Sequence, residues 1–319
     1  MRMRVAVIGS GVIGLTTAVV LAERGARVRI WARDQAEHTT SAVAGALWEP
    51  YRAEPADLVN DWAARTFDTL ADLSQDAGTG VRMVSGVKVG RTGEAEHPWW
   101  SSIAPVTPVA ADALPSEFRW GLRARLPLLD MPVYLDYLRR RFLAAGGQIA
   151  RRTLGRLTDV DPDEADVIVN AAGLGARDLV PDDEVRPIQG QLVVTQNPGI
   201  DQWLVESTGG AAEGLYVFPQ PDNRVILGGT AYDGRWGTAP DLLTAERIIA
   251  RCSGVFPALK GARVLEHRVG LRPYRPRVRL ERQVLDSGVV CVHSYGHGGA
   301  GITVSWACAD DTASLVAGS

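Results

Sequence analysis

Three glycines in the run Gly9-Ser10-Gly11-Val12-Ile13-Gly14 follow a short β-branched segment and precede a helical one. In that setting the first glycine permits a tight turn, the second lets a pyrophosphate approach the backbone, and the third lets helix and strand pack closely. The start of the helix then attracts the phosphates. The chemistry is dinucleotide binding, and the turn alone leaves FAD and NAD both open. An acid about 20 residues further on usually takes the ribose hydroxyls. Here the second strand ends in Arg33-Asp34, so the acid is displaced by one position and an arginine stands in its place. Arg33 is compatible with a 2′-phosphate, and hence NADP, but equally with stacking on adenine or pairing with phosphate.

A second concentration of chemistry lies at Gly270-Leu-Arg-Pro-Tyr-Arg-Pro-Arg-Val-Arg279, with arginines at 272, 275, 277 and 279. The two prolines prevent a helix and fix the local backbone. Alternation of arginine with proline and apolar residues favours at least one guanidinium pointing inward, where it can bind a carboxylate through two parallel hydrogen bonds. The bland alternative is a solvated basic loop.

The elements that must hold these groups follow from periodicity. Residues 4–9 and 27–32 read as strands of a parallel sheet around a helix over 12–24, with Gly25 as its C-cap. Helical spacing recurs at 58–73, at 132–145 with proline in the first turn, at 244–252 and at 302–316. Strands are expected at 81–89, 165–173 and 289–293, and prolines at 98, 105, 108 and 115 mark an irregular connection. Between 188 and 285 the pattern changes to short β-rich runs, 191–195, 215–219, 224–228 and 263–271. That change implies an α/β, Rossmann-like dinucleotide domain and a second, mainly antiparallel β (α+β) domain for substrate. The expected division gives residues 1–50, 140–186 and 288–319 to the cofactor domain, and 51–139 and 187–287 to the substrate domain.

The 319 residues suffice for two such units, and 46% apolar with 22% charged residues is the composition of an ordinary globular protein. A net charge of -3 offers no field for nucleic acid or an anionic membrane, so a small-molecule partner is expected. The apolar run over 5–22 is broken by glycines, so a strand, a turn and a helix are expected there in place of a leader or membrane anchor. Cys252, Cys291 and Cys308 are few, odd in number and widely spaced, which suits a reducing cytoplasm better than a disulfide framework. The final Val-Ala-Gly-Ser carries no peroxisomal tripeptide. His293 and His297 sit four apart, but the glycines around them argue against a metal site, and none is expected.

At this point the arginine segment becomes specific. His267-Arg-Val-Gly-Leu-Arg-Pro-Tyr-Arg-Pro-Arg-Val-Arg-Leu-Glu-Arg282 is similar to the substrate-carboxylate segment of the D-amino acid oxidases. His293-Ser-Tyr-Gly-His-Gly-Gly-Ala-Gly-Ile-Thr303 resembles that family's flavin loop, Val43-Ala-Gly-Ala-Leu-Trp-Glu-Pro-Tyr51 the segment running under the flavin, and Val167–Gly173 its second cofactor strand. Arg33-Asp34 fits the microbial members. With the first glycine turn, five separated segments match in order.

The resemblance implies FAD as cofactor, held by Gly9, Gly11, Val12, Ile13, Gly14, Arg33, Asp34, Thr39, Thr40, Ser41, Gly45, Ala46, Leu47, Gly173, Gly298, Gly299, Gly301, Ile302 and Thr303. It implies that Arg272 and Tyr216 bind a substrate carboxylate, that the carbonyl of Gly299 accepts from the amine, and that Leu47, Glu49 and Phe218 border the side-chain pocket. Glu49 stands where the family often has a neutral glutamine. Facing the pocket it would favour a cationic substrate side chain, and facing a structural partner it would not. Ala212, in a short Gly-rich stretch, replaces the lid tyrosine of animal members, which implies a more open entrance. The implied reaction is oxidation of a D-amino acid by FAD and O2 to a 2-oxo acid, ammonia and peroxide in the cytoplasm, with a homodimer as one open possibility. Glycine oxidase and D-aspartate oxidase are the neighbouring alternatives. Beyond them stand an NAD(P)-dependent dehydrogenase and a flavin-binding sensor.

Overall fold

The computed structural model describes residues 2–95, 98–207 and 211–318. β1 (Arg4–Ile8) enters α1 (Val12–Glu23), and β2 (Arg27–Ala32) returns parallel to β1 with Val5 opposite Val28. Gly25 closes the helix at φ +92°, donating to the Ala22 carbonyl. The chain continues through α2 (Ala56–Leu73), β3 (Val81–Gly90), β4 (Thr107–Pro108), β5 (Trp120–Leu129) and α3 (Met131–Ala144). It returns through β6 (Gln148–Arg151), β7 (Val167–Asn170) and the short α4 (Ala176–Leu179). Then come β8 (Arg186–Gln196), β9 (Trp203–Glu206), β10 (Glu213–Gln220), β11 (Arg224–Thr230), β12 (Tyr232–Asp233) and α5 (Leu242–Val255). The last elements are β13 (Val264–Val284), β14 (Val290–His297) and α6 (Gly301–Ala317).

Among the described residues these strands form one sheet ordered β4-β5-β3-β9-β10-β11-β8-β13-β14-β7-β1-β2-β6, with β12 beside β8. From β14 to β6 every pairing is parallel, as in a Rossmann unit. From β14 back to β9 every pairing is antiparallel; β3 then joins β9 in parallel and pairs antiparallel with β5. The fold is thus mixed α/β, a parallel nucleotide-binding unit continued by a mainly antiparallel sheet.

Burial explains why α1 has no polar face: every residue from Val12 to Ala22 is buried, and the helix packs on α6 and α3. α5 is amphipathic instead. Its Ala245, Ile248 and Cys252 cover one face of the antiparallel sheet, meeting Val217, Leu227 and Leu204. The opposite face, with Tyr216, Phe218 and Leu192, turns toward the helices and loops of the parallel unit.

The structure departs from the sequence reading in two places. The strand read as ending at 271 runs to Val284, through Pro273 and Pro276. A register irregularity between Tyr274 and Arg279 accommodates the prolines where β13 leaves β8 and joins β14. β5, a strand left unassigned in the sequence, follows the proline-marked connection; Leu122, Ala124 and Leu126 are buried while Arg123 and Arg125 are exposed, the alternation of a strand with one covered face.

Candidate active site

The glycine turn is built by close approach. Gly9 has φ +114°, and a Cβ there would stand 2.5 Å from the Ala171 carbonyl oxygen; a Cβ on Gly14 would stand 2.1 Å from the Gly9 carbonyl oxygen. Only glycine fits at either position. Neither α1 nor α6 has a side-chain cap from its own N-cap residue, Gly11 and Ala300. The two helix starts meet, since a Cβ on Gly301 would touch Val12 at 3.7 Å. Two positive helix ends therefore converge on one cavity.

That cavity measures about 1060 Å³ and extends from the β1 turn to the antiparallel sheet. All the residues that the sequence pointed to as cofactor contacts line it except Gly14, whose place is the helix–strand contact. At one end Arg33 and Asp34 pair with each other at 2.8 Å, leaving the arginine half-committed to its neighbour. Ser10 donates to the Asp34 carbonyl at 2.7 Å, and the Val12 amide donates to Ser41 Oγ at 3.0 Å. Thr40 donates to the Leu271 carbonyl at 3.0 Å, tying the loop to β13.

Further along, the flavin-loop glycines lie on the 43–51 segment. Gly298, at φ +54°, would drive a Cβ to 1.9 Å from the Arg52 carbonyl oxygen, and the Gly299 amide donates to the Tyr51 carbonyl at 3.0 Å. Ser294 Oγ and His297 Nε2 are buried, have no hydrogen-bond partner among the described residues, and belong to residues lining the cavity. Burial pushes the His297 pKa down to about 4, so the ring is neutral. Orphaned polar atoms, a glycine cradle and two helix starts in one elongated cavity fit a dinucleotide such as FAD.

β13 delivers Arg272 over Gly190 of β8, where a Cβ would stand 2.3 Å from the guanidinium. Its Nη1 donates to the Thr230 carbonyl at 3.1 Å, and its Cζ lies 5.6 Å from the centre of the Tyr51 ring. Among the described residues no carboxylate pairs with Arg272, whereas Arg275 pairs with Asp182 and Glu184 and Arg279 with Glu281. Arg277 is exposed. Of the four arginines, Arg272 is the one that faces the cavity with its charge uncompensated.

Tyr216 lies over Gly228 and Gly229 and stacks on Phe218 with ring centres 4.7 Å apart at 15°. Burial raises the phenol above its usual value, outweighing the opposing pull of Arg272, so the hydroxyl stays protonated and available as a neutral donor. Gly45 makes room for this pair, since a Cβ there would come 3.0 Å from the Phe218 ring. Leu47 bridges to Leu128 and lines the cavity with Phe218. Gly299 approaches Arg272, with 3.4 Å between a Cβ built there and Arg272 Cδ.

Glu49 lines the cavity but is ion-paired with Lys88 of β3, a partner not foreseen. Ala212 is exposed, and its carbonyl accepts from the Ala231 amide at 2.7 Å; the glycines preceding it, 209 and 210, lie outside the described residues. Sequence reasoning also missed Tyr51 and His297 as individual contributors, although both lie within segments it singled out. His293 proves to be held by the structure itself, 2.9 Å from Gln283 Oε1 and 3.3 Å from Asn170 Nδ2.

Comparison with known proteins agrees with this geometry. Residues 4–315 match the model of the family described as DAO, FAD dependent oxidoreductase. The chain is 52% identical over 312 residues to a D-amino-acid oxidase of Streptomyces coelicolor, covering 98% of this chain and 96% of that one. It is 46% identical over 314 residues to a D-amino-acid oxidase of Rubrobacter xylanophilus, covering 98% and 95%. A glycine oxidase structure from Geobacillus kaustophilus superposes with TM-score 0.83 at 19% identity, covering 99% of this chain and 95% of that one. With the nucleotide cradle, the helix starts and the near full-length match in agreement, the chain belongs to the DAO family of FAD-dependent oxidoreductases.

Proposed function

We propose that this protein is a D-amino-acid oxidase, converting D-amino acids to 2-oxo acids and ammonia. The observation that carries the reading is the uncompensated guanidinium of Arg272 beside the neutral phenol of Tyr216, at the end of the cavity bounded by Gly298 and Gly299. Arg272 and Tyr216 hold the substrate carboxylate, the first by charge and paired hydrogen bonds, the second as a neutral donor. The carbonyl of Gly299 accepts from the amine, which enters neutral, so no side chain has to act as base. Leu47 and Phe218 supply the apolar wall, and three fixed points present the hydrogen of one enantiomer only. FAD, when bound, would supply the hydride acceptor, with O2 as the final oxidant reduced to peroxide and water hydrolysing the imino acid to the 2-oxo acid and ammonia.

Glycine oxidation would call for a smaller pocket, and D-aspartate oxidation for a further unpaired cation near the side chain. Lys88, the cation available there, is already paired with Glu49. Cys252, Cys291 and Cys308 are all free and buried, which supports a reducing compartment, and we assign the protein to the cytoplasm. Among the described residues no helix is long and apolar enough to cross a membrane.

The test is the visible spectrum of the purified protein under anaerobic conditions. D-alanine and D-methionine should bleach the flavin, their L enantiomers should not, and air should restore it with peroxide formed. A flavin that no amino acid bleaches would overturn the reading.

A further inference from the structure

Beyond Arg272 and Tyr216 the cavity wall carries a pair of charges that the reaction does not use, Glu49 and Lys88. Strand register fixes where they stand. Lys88 of β3 lies opposite Val205 of β9, Val205 opposite Tyr216 of β10, and Tyr216 opposite Gly228 of β11. Residues opposite one another in register share a sheet face. Lys88 therefore projects from the same face as Tyr216, two strand spacings or roughly 10 Å away. The alternate residues Val87, Leu204 and Val217 point the other way, into the core beneath α5. Glu49 follows the segment bridged to β5 at Leu47, and its backbone carbonyl accepts from Thr303 Oγ1 at 3.2 Å in the first turn of α6. The two side chains are 20% and 19% exposed, so the pair is neither free in solvent nor sealed in the core. Glu206, the next residue after Val205, lies opposite Val89 on the other face and is tied to Arg91 at 2.7 Å.

We propose that the Glu49–Lys88 ion pair sets substrate specificity by closing the side-chain pocket with two opposite charges that cancel. This rests on the assignment of Arg272 and Tyr216 as the carboxylate site, because that assignment sends the substrate side chain along the wall toward β3. An intact pair presents almost no net charge, so a cationic or anionic side chain gains nothing there to offset its lost hydration, and neutral D-amino acids are preferred. Removing either partner leaves the other as a lone, partly desolvated charge that selects substrates of the opposite sign.

The experiment uses the FAD-loaded wild type with Lys88→Met, Glu49→Gln, the Glu49→Gln/Lys88→Met double variant and Lys88→Arg. Anaerobic flavin reduction is followed with D-methionine, D-lysine and D-glutamate, giving a limiting rate and an apparent Kd for each. The wild type should prefer D-methionine to both charged substrates. Lys88→Met should raise the D-lysine to D-methionine ratio of rate over Kd at least tenfold, and Glu49→Gln the D-glutamate to D-methionine ratio by as much. The double variant and Lys88→Arg should keep the wild-type ranking. Ratios within threefold of wild type in both single variants, or a Lys88→Arg ranking shifted like that of Lys88→Met, would overturn the proposal. If D-methionine still reduces the flavin in either case, the loss falls on the ion pair alone. A wild-type flavin that no D-amino acid reduces would instead overturn the assigned function and this inference with it.

Discussion

Arg272 is distinguished less by its own position than by what its neighbours have been given. Asp182 and Glu184 hold Arg275, Glu281 holds Arg279, and Arg272 has a carbonyl, Thr230, where the others have carboxylates. Replacing it by alanine removes a charged ligand without disturbing an ion pair. Arg272→Ala should keep its flavin absorbance and lose kcat/KM at least about 100-fold, on the order of 3 kcal/mol. Loss of the flavin in that variant would count against the role. Tyr216→Phe removes one hydroxyl donor to a charged group, and KM should rise about 10-fold, roughly 1.5 kcal/mol, with kcat changing less. The sequence showed the arginine cluster but could not show which member was unpaired, because Asp182 is ninety-three positions from Arg275. The same limit hid the partner of Glu49. Lys88 reaches it only through the packing of β3 beside the cavity, and no local pattern encodes that.

Elements place these side chains through close approaches that leave no space for a Cβ. Gly86 of β3 lies under Trp203 of β9, where an added Cβ would be 2.1 Å from the indole and 2.2 Å from the Trp203 carbonyl oxygen. The indole also donates to the Val84 carbonyl at 2.8 Å. Gly86→Ala should therefore part β3 from β9 and destabilise the protein by about 1–3 kcal/mol, read as a lower denaturation midpoint. An unchanged midpoint would show that Trp203 can move aside. In the flavin loop, Gly298→Ala meets both a positive φ and the Arg52 carbonyl oxygen at 1.9 Å. Its purified product should carry less than a tenth of the wild-type flavin, measured as the visible-to-ultraviolet absorbance ratio. The glycine turn and the main helices were legible because strand, turn and cap signals are local. β13 was read short because two prolines normally end a strand, and here an irregular register between two different partner strands absorbs them.

At the scale of the whole molecule, buried histidines make acid a threat before the carboxylates titrate. Burial holds His293 and His297 at a pKa of about 4, below the usual 6.5. Above 6.5 both are neutral, folded or unfolded. As pH falls from 6.5 toward 4 the unfolded chain takes up protons that the folded chain does not, so stability drops through that window, and below it these histidines add no further loss. The apparent Tm should fall between pH 6.5 and 4.5, and His293→Gln should flatten the fall; a Tm independent of pH over that range would refute the account. The mixed architecture was legible from the change of periodicity near residue 188, whereas the continuity of the sheet across β13 was not, since it depends on pairing between remote segments.

That sheet order also dictates when the protein can first hold its cofactor. The β1 turn is made well before α6, yet β1 reaches β14 only through β7, and the wall opposite the turn comes from residues 294–303. A ribosome must translate nearly the whole described chain before the two helix starts can meet. Until then the growing chain carries half of a flavin site, with the apolar face of α1 still waiting for α6. Flavin is thus a late arrival, able to bind only once α6 has been made and has packed against α1.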